Sequence, residues 1–230
     1  MGRTAFPIDF GNSRSLTDTT RGSVLSKVLG LLGFASLFTF GGALVGFQMG
    51  GIAIIISLIG TLGSMIALSM LKEKSPVNLI LLYTLATFQG LSLGAIVAPF
   101  FAAGLGQIVL DASATTAIVT LAAGAYGMNT KRDLTSLQGI LTIGLIAVVI
   151  ASILGLFLRL PMFQLGIAVV SALLFTGFLV VDLARIARAR NVSEGDTIML
   201  AVAVYLDIVN LFLAILRILQ YFSGRNRRSY

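Results

Sequence analysis

Seven apolar runs, each about as long as a bilayer core is thick, dominate this 230-residue chain. A hydrocarbon core of about 30 Å takes about 20 helical residues to cross. Runs of that length fall near residues 25–48, 51–71, 77–99, 107–127, 136–158, 163–186 and 196–221. Between them stand "QMGG", "KEKSP", "FFAAGLGQ", "NTKRD", "RLP" and "RARNVSEGD", each carrying the glycine, proline or charge that turns require. No soluble domain fits in the gaps. The expected fold class is an all-α polytopic membrane protein with seven transmembrane helices, because in lipid a backbone must satisfy its own polar groups. Three segments follow: a polar N-terminal arm (1–22), the helical membrane domain (23–222) and a basic tail (223–230).

Composition narrows the chemistry. Hydrophobic residues make up 57% and charged residues only 11%, far below the quarter that soluble domains carry. The chain has no cysteine, histidine or tryptophan. That excludes disulfides, thiolate sites, histidine-ligated zinc and any serine–histidine or cysteine–histidine catalytic pair, and no enzymatic activity is expected. The net charge of +7 does not point to nucleic acid, since the basic residues lie between apolar runs. The first 22 residues hold no apolar core of a signal peptide, and Asp9 and Asp18 set them apart from a transit peptide.

Orientation is read from lysine and arginine. With the N-terminus inside, the inner segments hold Arg3, Arg14, Arg21, Lys27, Lys72, Lys74, Lys131, Arg132, Arg185, Arg188 and Arg190, 11 of the 16 basic residues. The outer side receives Arg159, Arg217, Arg225, Arg227 and Arg228. The basic tail runs against the rule. Either helix seven crosses in spite of it, as its length favours, or it re-enters and leaves the tail inside.

Small residues recur at packing intervals. Gly42, Gly46 and Gly50 make two GxxxG steps in helix one, and Gly90 and Gly94 another in helix three, where helix packing is the expected use. Asp111 falls in the first turn of helix four, where a carboxylate suits the helix dipole.

Two acids have no such excuse. Asp182 lies in "LLFTGFLVVDLARI" and Asp207 in "AVAVYLDIVNLFLAIL". A charge at a helix centre costs about 2.5–3.5 kcal/mol on insertion scales. Helix six can stop at Asn191, and Ser193-Glu194-Gly195-Asp196 is a capping-box pattern that starts helix seven. Counted from that turn, the two carboxylates differ in depth by about 7 Å, at 1.5 Å per residue. The spacing predicts that they meet. Such a pair shares a proton, and once deprotonated it attracts a cation. The plainer alternatives are a pairing of Asp182 with Arg185, and a hydrogen bond of Asp207 to Asn210 or Tyr205.

Helix seven places Asp207, Asn210 and Arg217 on one side, flanked by Tyr205 and Gln220. Thr87, Gln89 and Ser92 of helix three, and Ser57, Thr61 and Ser64 of helix two, either line a narrow polar path or form interhelical hydrogen bonds, the second being favoured. Arg185, Tyr205, Asn210, Arg217 and Gln89 are the candidate gating or pore-lining residues.

The phrases "TLATFQGLSLGAIVAPF", "ALLFTGFLVVDLARI" and "AVAVYLDIVNLFLAILRIL" resemble the Bax inhibitor-1, or transmembrane Bax inhibitor motif, family over about residues 25–221. The resemblance implies a seven-helix fold with helix seven central. It implies a pH-sensitive calcium leak gated by aspartates on helices six and seven, which match Asp182 and Asp207, so that Ca²⁺ or another cation is the expected ion. It also implies, for a bacterial-type member, residence in the inner membrane and association with a membrane-anchored AAA protease; eukaryotic members are tied to cell-death suppression. Helix two, Gly51 to Leu71, holds no ionisable residue, so any basic group that opposes the aspartates comes from elsewhere, with Arg185 and Arg217 as candidates. An intramembrane aspartyl protease also needs two aspartates, but its Tyr-Asp and Gly-x-Gly-Asp signatures are missing from "VVDLA" and "YLDIV".

Overall fold

The computed structural model describes residues 12–158, 160–190 and 192–226, with the side chains of 12–23, 135, 225 and 226 not described. The expected stop at Asn191, the outward Arg159 and half of both the N-terminal arm and the basic tail lie outside that range. Seven helices follow in order: α1 (Asn12–Met49), α2 (Gly51–Leu71), α3 (Val77–Ala102), α4 (Gly106–Asn129), α5 (Thr135–Leu158), α6 (Pro161–Arg188) and α7 (Glu194–Asn226). Each contains a stretch long and apolar enough to cross a membrane. The apolar part of α1 is Val24–Met49, and the helix continues back to Asn12 through polar sequence that hydropathy alone does not register.

Large apolar side chains cover the outside of the bundle. Phe40, Ile59, Ile143, Leu156 and Phe157 are among many left exposed. In water such a belt would drive aggregation; in a bilayer it is the solvent-matched surface. The chain is an integral membrane protein.

At the centre is α7, which packs against α6, α4, α1 and α3 and has the largest buried share of the seven. Its Leu211, Ile215 and Leu216 join Val28, Ala112, Leu179 and Ile186 in one core cluster. A second cluster on its other side collects Tyr205, Val202 and Ile198 with Leu82, Leu85 and Leu68. By contrast α5 has one substantial neighbour, α6, and the smallest buried share.

The glycine spacing seats α1 on α3. A Cβ on Gly42 or Gly46 would strike the backbone of Thr87 or Leu91, and one on Gly90 or Gly94 would strike Thr39 or Ala43. Four of the five predicted glycines therefore let two backbones touch. Gly50 serves differently: it has φ 64° and open space around it, so it forms the left-handed turn between α1 and α2. Three of the five hydroxyls depart from the expected interhelical bonds, while Thr61 Oγ1 is buried without a partner. Ser57 bonds back to Ala53 O, Thr87 to Tyr83 O and Ser92 to Gln89 O, each within its own helix. Asp111 lies in the second turn of α4, which begins at Gly106, rather than in the first, and it accepts a 2.8 Å bond from Gln107.

Candidate functional site

One end of the bundle gathers the α2–α3, α4–α5 and α6–α7 connections and clamps them together. Ser193 Oγ accepts from the Asp196 backbone N–H at 3.0 Å, as the capping pattern predicts. The Asp196 carboxylate turns to Lys72 Nζ, 2.6 Å away, while Ser193 Oγ donates to Glu73 at 2.9 Å. The hydrogen bond and charge of Asp196 hold the Lys72 ammonium above its ordinary proton affinity. Such a pair supports the fold at neutral pH and loses its contribution as the pH rises past the lysine range. Gly195 lies so close to the Lys72 carbonyl that no side chain would fit. On the other flank, Arg188 donates to the carbonyls of Thr130 and Arg132, at 3.1 and 2.6 Å, tying α6 to the α4–α5 loop.

This clamp sets the height of α7. In the structure α6 ends at Arg188, 6 residues after Asp182, whereas Asp207 lies 13 residues after Glu194. Measured from the two helix ends, their depths differ by 7 residues, about 10 Å of rise. The two buried carboxyl groups nevertheless lie close enough to interact, and both line the same cavity. For that, α7 must begin further from the membrane centre than α6 ends, and the extended backbone of Ala189 (φ −62°, ψ 130°) carries the chain that way. Both aspartates are only 7% exposed.

The alternatives for the two acids resolve differently. Asp182 does form its ion pair with Arg185, at 3.6 Å, in addition to its contact with Asp207. Arg185 also donates to Gln138 of α5 at 2.6 Å. Asp207 bonds to neither Asn210 nor Tyr205: the Asn210 amide donates to Leu206 O, and the Tyr205 hydroxyl pairs with Thr39 Oγ1 at 2.7 Å. Its second oxygen, Oδ2, is buried without a partner. Two acids in direct contact are satisfied with one proton between them; without it, like charges stand side by side and draw in a cation. No group of three or more acids among the described residues could hold a metal ion.

A cavity of about 510 Å³ surrounds the pair, walled by α5, α6 and α7, with Asp182, Asp207, Asn210 and Arg217 on its lining. A second cavity, of about 680 Å³, opens at the clamped end around Arg185, Arg188 and Asp133. The third, about 880 Å³, lies at the opposite end around Gln164, Arg217, Gln220 and Tyr221. Ala203 lines both the first and the second, while Ser152 and Arg217 line both the first and the third. The cavity with the aspartates thus adjoins one cavity on each side. The sequence-predicted stripe of Asp207, Asn210 and Arg217 faces that cavity; Tyr205 and Gln89 do not. Tyr205 belongs to the opposite face of α7, where it braces α1, and Gln89 stays in α3 beside Ser92, 3.5 Å away. Ser152, Ser171 and Gln138 were not legible as site residues, because a lone polar residue in an apolar helix carries no spacing signal.

Fold and site together define a polytopic membrane protein with two buried aspartates facing one cavity at the heart of its bundle. The family model described as "Inhibitor of apoptosis-promoting Bax1" matches residues 21–224, and the chain belongs to that family. An uncharacterized protein of Campylobacter jejuni is 35% identical over 165 residues, 71% of this chain and 70% of the relative. "Modulator of FtsH protease YccA" of Escherichia coli is 29% identical over 170 residues, 74% of this chain and 76% of that protein. Mouse "Protein lifeguard 4" is 33% identical over 167 residues, 73% and 68% of the two chains.

The contact between the acids has a direct check. The chain has no native cysteine. Asp182→Cys with Asp207→Cys is expected to join through a short bifunctional thiol reagent, seen as protection from later maleimide labelling. Asp182→Cys with Tyr205→Cys is expected to stay open. Equal protection of both pairs would contradict the geometry.

Proposed function

We propose that this protein is a non-enzymatic cation leak, with Ca²⁺ as its foremost ion, gated by the Asp182–Asp207 pair. The observation that carries the reading is the succession of cavities that passes the pair, with Asp207 Oδ2 unpartnered at its centre. With one proton shared, the pair holds α6 to α7. Loss of that proton adds a negative charge, which repels the two helices and attracts a cation to the path. Arg185 is the basic group on Asp182, and its bond to Gln138 links the pair to α5.

The lysine and arginine asymmetry puts the clamped end, and with it the N-terminus, in the cytoplasm of a bacterium, with the chain in the inner membrane. Single cysteines placed at Ser15 and Ser136 are expected to react from the same face of the membrane; labelling from opposite faces would reverse that assignment.

Ca²⁺ flux into proteoliposomes that contain only this protein is expected to change with pH. Asp207→Asn keeps size and hydrogen bonding but removes one ionisation, so it flattens the profile. Asp182→Asn does nearly the same, and the double variant little more, because the two act as one unit. Asp111→Asn, whose side chain bonds to Gln107, leaves the profile intact. A full pH response in the double variant would remove the pair from the mechanism.

A second reading rests on the Escherichia coli relative named for modulating the FtsH protease. In it the bundle binds and restrains a membrane-anchored AAA protease, with the arm of residues 1–22 as the handle. Deleting residues 1–22 is then expected to abolish co-purification with the protease and to spare ion flux; retained co-purification would take the arm out of the interface.

A further inference from the structure

The cavity at the end opposite the clamp has chemistry that a cation path does not need. Its walls are largely apolar, with Ile153 and Leu156 of α5 and Leu165 of α6 among them. Into it project Arg217, Gln164 and Gln220. All three are exposed, and no hydrogen bond or ion pair to any described residue occupies them. Among the described residues, Arg217 is the one charged residue on this lining. A guanidinium stays protonated at any pH a membrane meets. Asp207 cannot neutralise it, since ten residues of helix separate the two by about 15 Å, beyond the reach of both side chains.

An unpaired arginine in an apolar-walled hollow of a membrane bundle needs an anion from outside the chain. The surroundings say which kind. A small free anion would leave the apolar walls bare. A phosphodiester with acyl chains would use every surface: its phosphate takes the guanidinium fork in two parallel bonds, and the amides of Gln164 and Gln220 reach its remaining oxygens. Its chains then lie on the exposed Ile153, Leu156 and Met162. The Tyr221–Phe222 edge-to-face pair stands beside the cavity, at the level where aromatic side chains favour the headgroup interface. About 880 Å³ is within the range of pockets that enclose small organic ligands.

We propose that this cavity is a binding site for the headgroup of an anionic phospholipid, with Arg217 as the phosphate ligand and Gln164 and Gln220 as its hydrogen-bonding partners.

The test uses the full chain, delipidated in detergent and read by native mass spectrometry during titration with phosphatidylglycerol, phosphatidylcholine or inorganic phosphate. One phosphatidylglycerol is expected to be retained per chain at concentrations where phosphatidylcholine is not. Arg217→Gln is expected to weaken that binding tenfold or more, and Arg217→Lys less, because a point charge lacks the fork. The double change Gln164→Leu with Gln220→Leu keeps the arginine and is expected to weaken binding several-fold. Neutralising Arg225, Arg227 and Arg228 in the basic tail is expected to leave the single bound lipid in place. Equal retention of the two lipids, unchanged binding in Arg217→Gln, or loss of the lipid on neutralising the tail would overturn the site. Displacement of phosphatidylglycerol by millimolar inorganic phosphate would assign the cavity to a free anion and overturn the lipid.

Discussion

The contact between Asp182 and Asp207 is the constraint around which the rest of the bundle is arranged. It joins α6 to α7 at the height that the clamp sets and places two buried acids on the wall between them. It also explains the elaborate clamp at the α6–α7 turn. Two acids brought together in a low-dielectric interior push apart whenever both ionise. Helices that carry such a pair need anchoring elsewhere, and the Lys72–Asp196 and Ser193–Glu73 bonds, with Arg188 on the α4–α5 loop, supply it.

The aspartates sit on one side of α7, and the opposite side is built as a fixed surface. Tyr205 is bonded to Thr39, and α1 is locked onto α3 by glycines whose backbones touch. The result is a bundle of two characters. The group α1, α3 and α7 is close-packed, while α5, α6 and the acid-bearing side of α7 enclose hollow space. An arrangement of this kind confines change in shape to one half of the molecule, because packed interfaces resist small displacements.

Much of this was written in the sequence, and for identifiable reasons. Lipid forces long apolar runs, so six of the seven helices begin and end within a few residues of the predicted bounds. Asp182 and Asp207 stood out because a buried acid in an apolar helix has no cheap explanation, and the residues counted back to their shared turn predicted that they would meet. The clamp was invisible, since Lys72 and Asp196 are 124 positions apart and ordinary in their loops. Tyr205 was read as flanking the acid stripe, yet residues two apart on a helix point about 200° apart, and it packs on the α1 side. The hydroxyls misled for a different reason: serine and threonine in a helix can satisfy themselves on their own backbone, and spacing cannot tell that from a bond to a neighbour.

That α5 leans on α6 alone has a mechanical consequence. Of the helices that wall the hollow, α6 and α7 are each held by several neighbours, so displacing either means breaking several interfaces at once. Displacing α5 breaks one. Its outer face, with Leu156 and Phe157 almost fully bare, is pressed by lipid and by nothing else. The bilayer is therefore the fourth wall of the hollow beside the aspartates. The width of that hollow becomes a property of the membrane as well as of the protein, set by how hard the surrounding acyl chains push and yielding when lateral pressure falls or the bilayer thins.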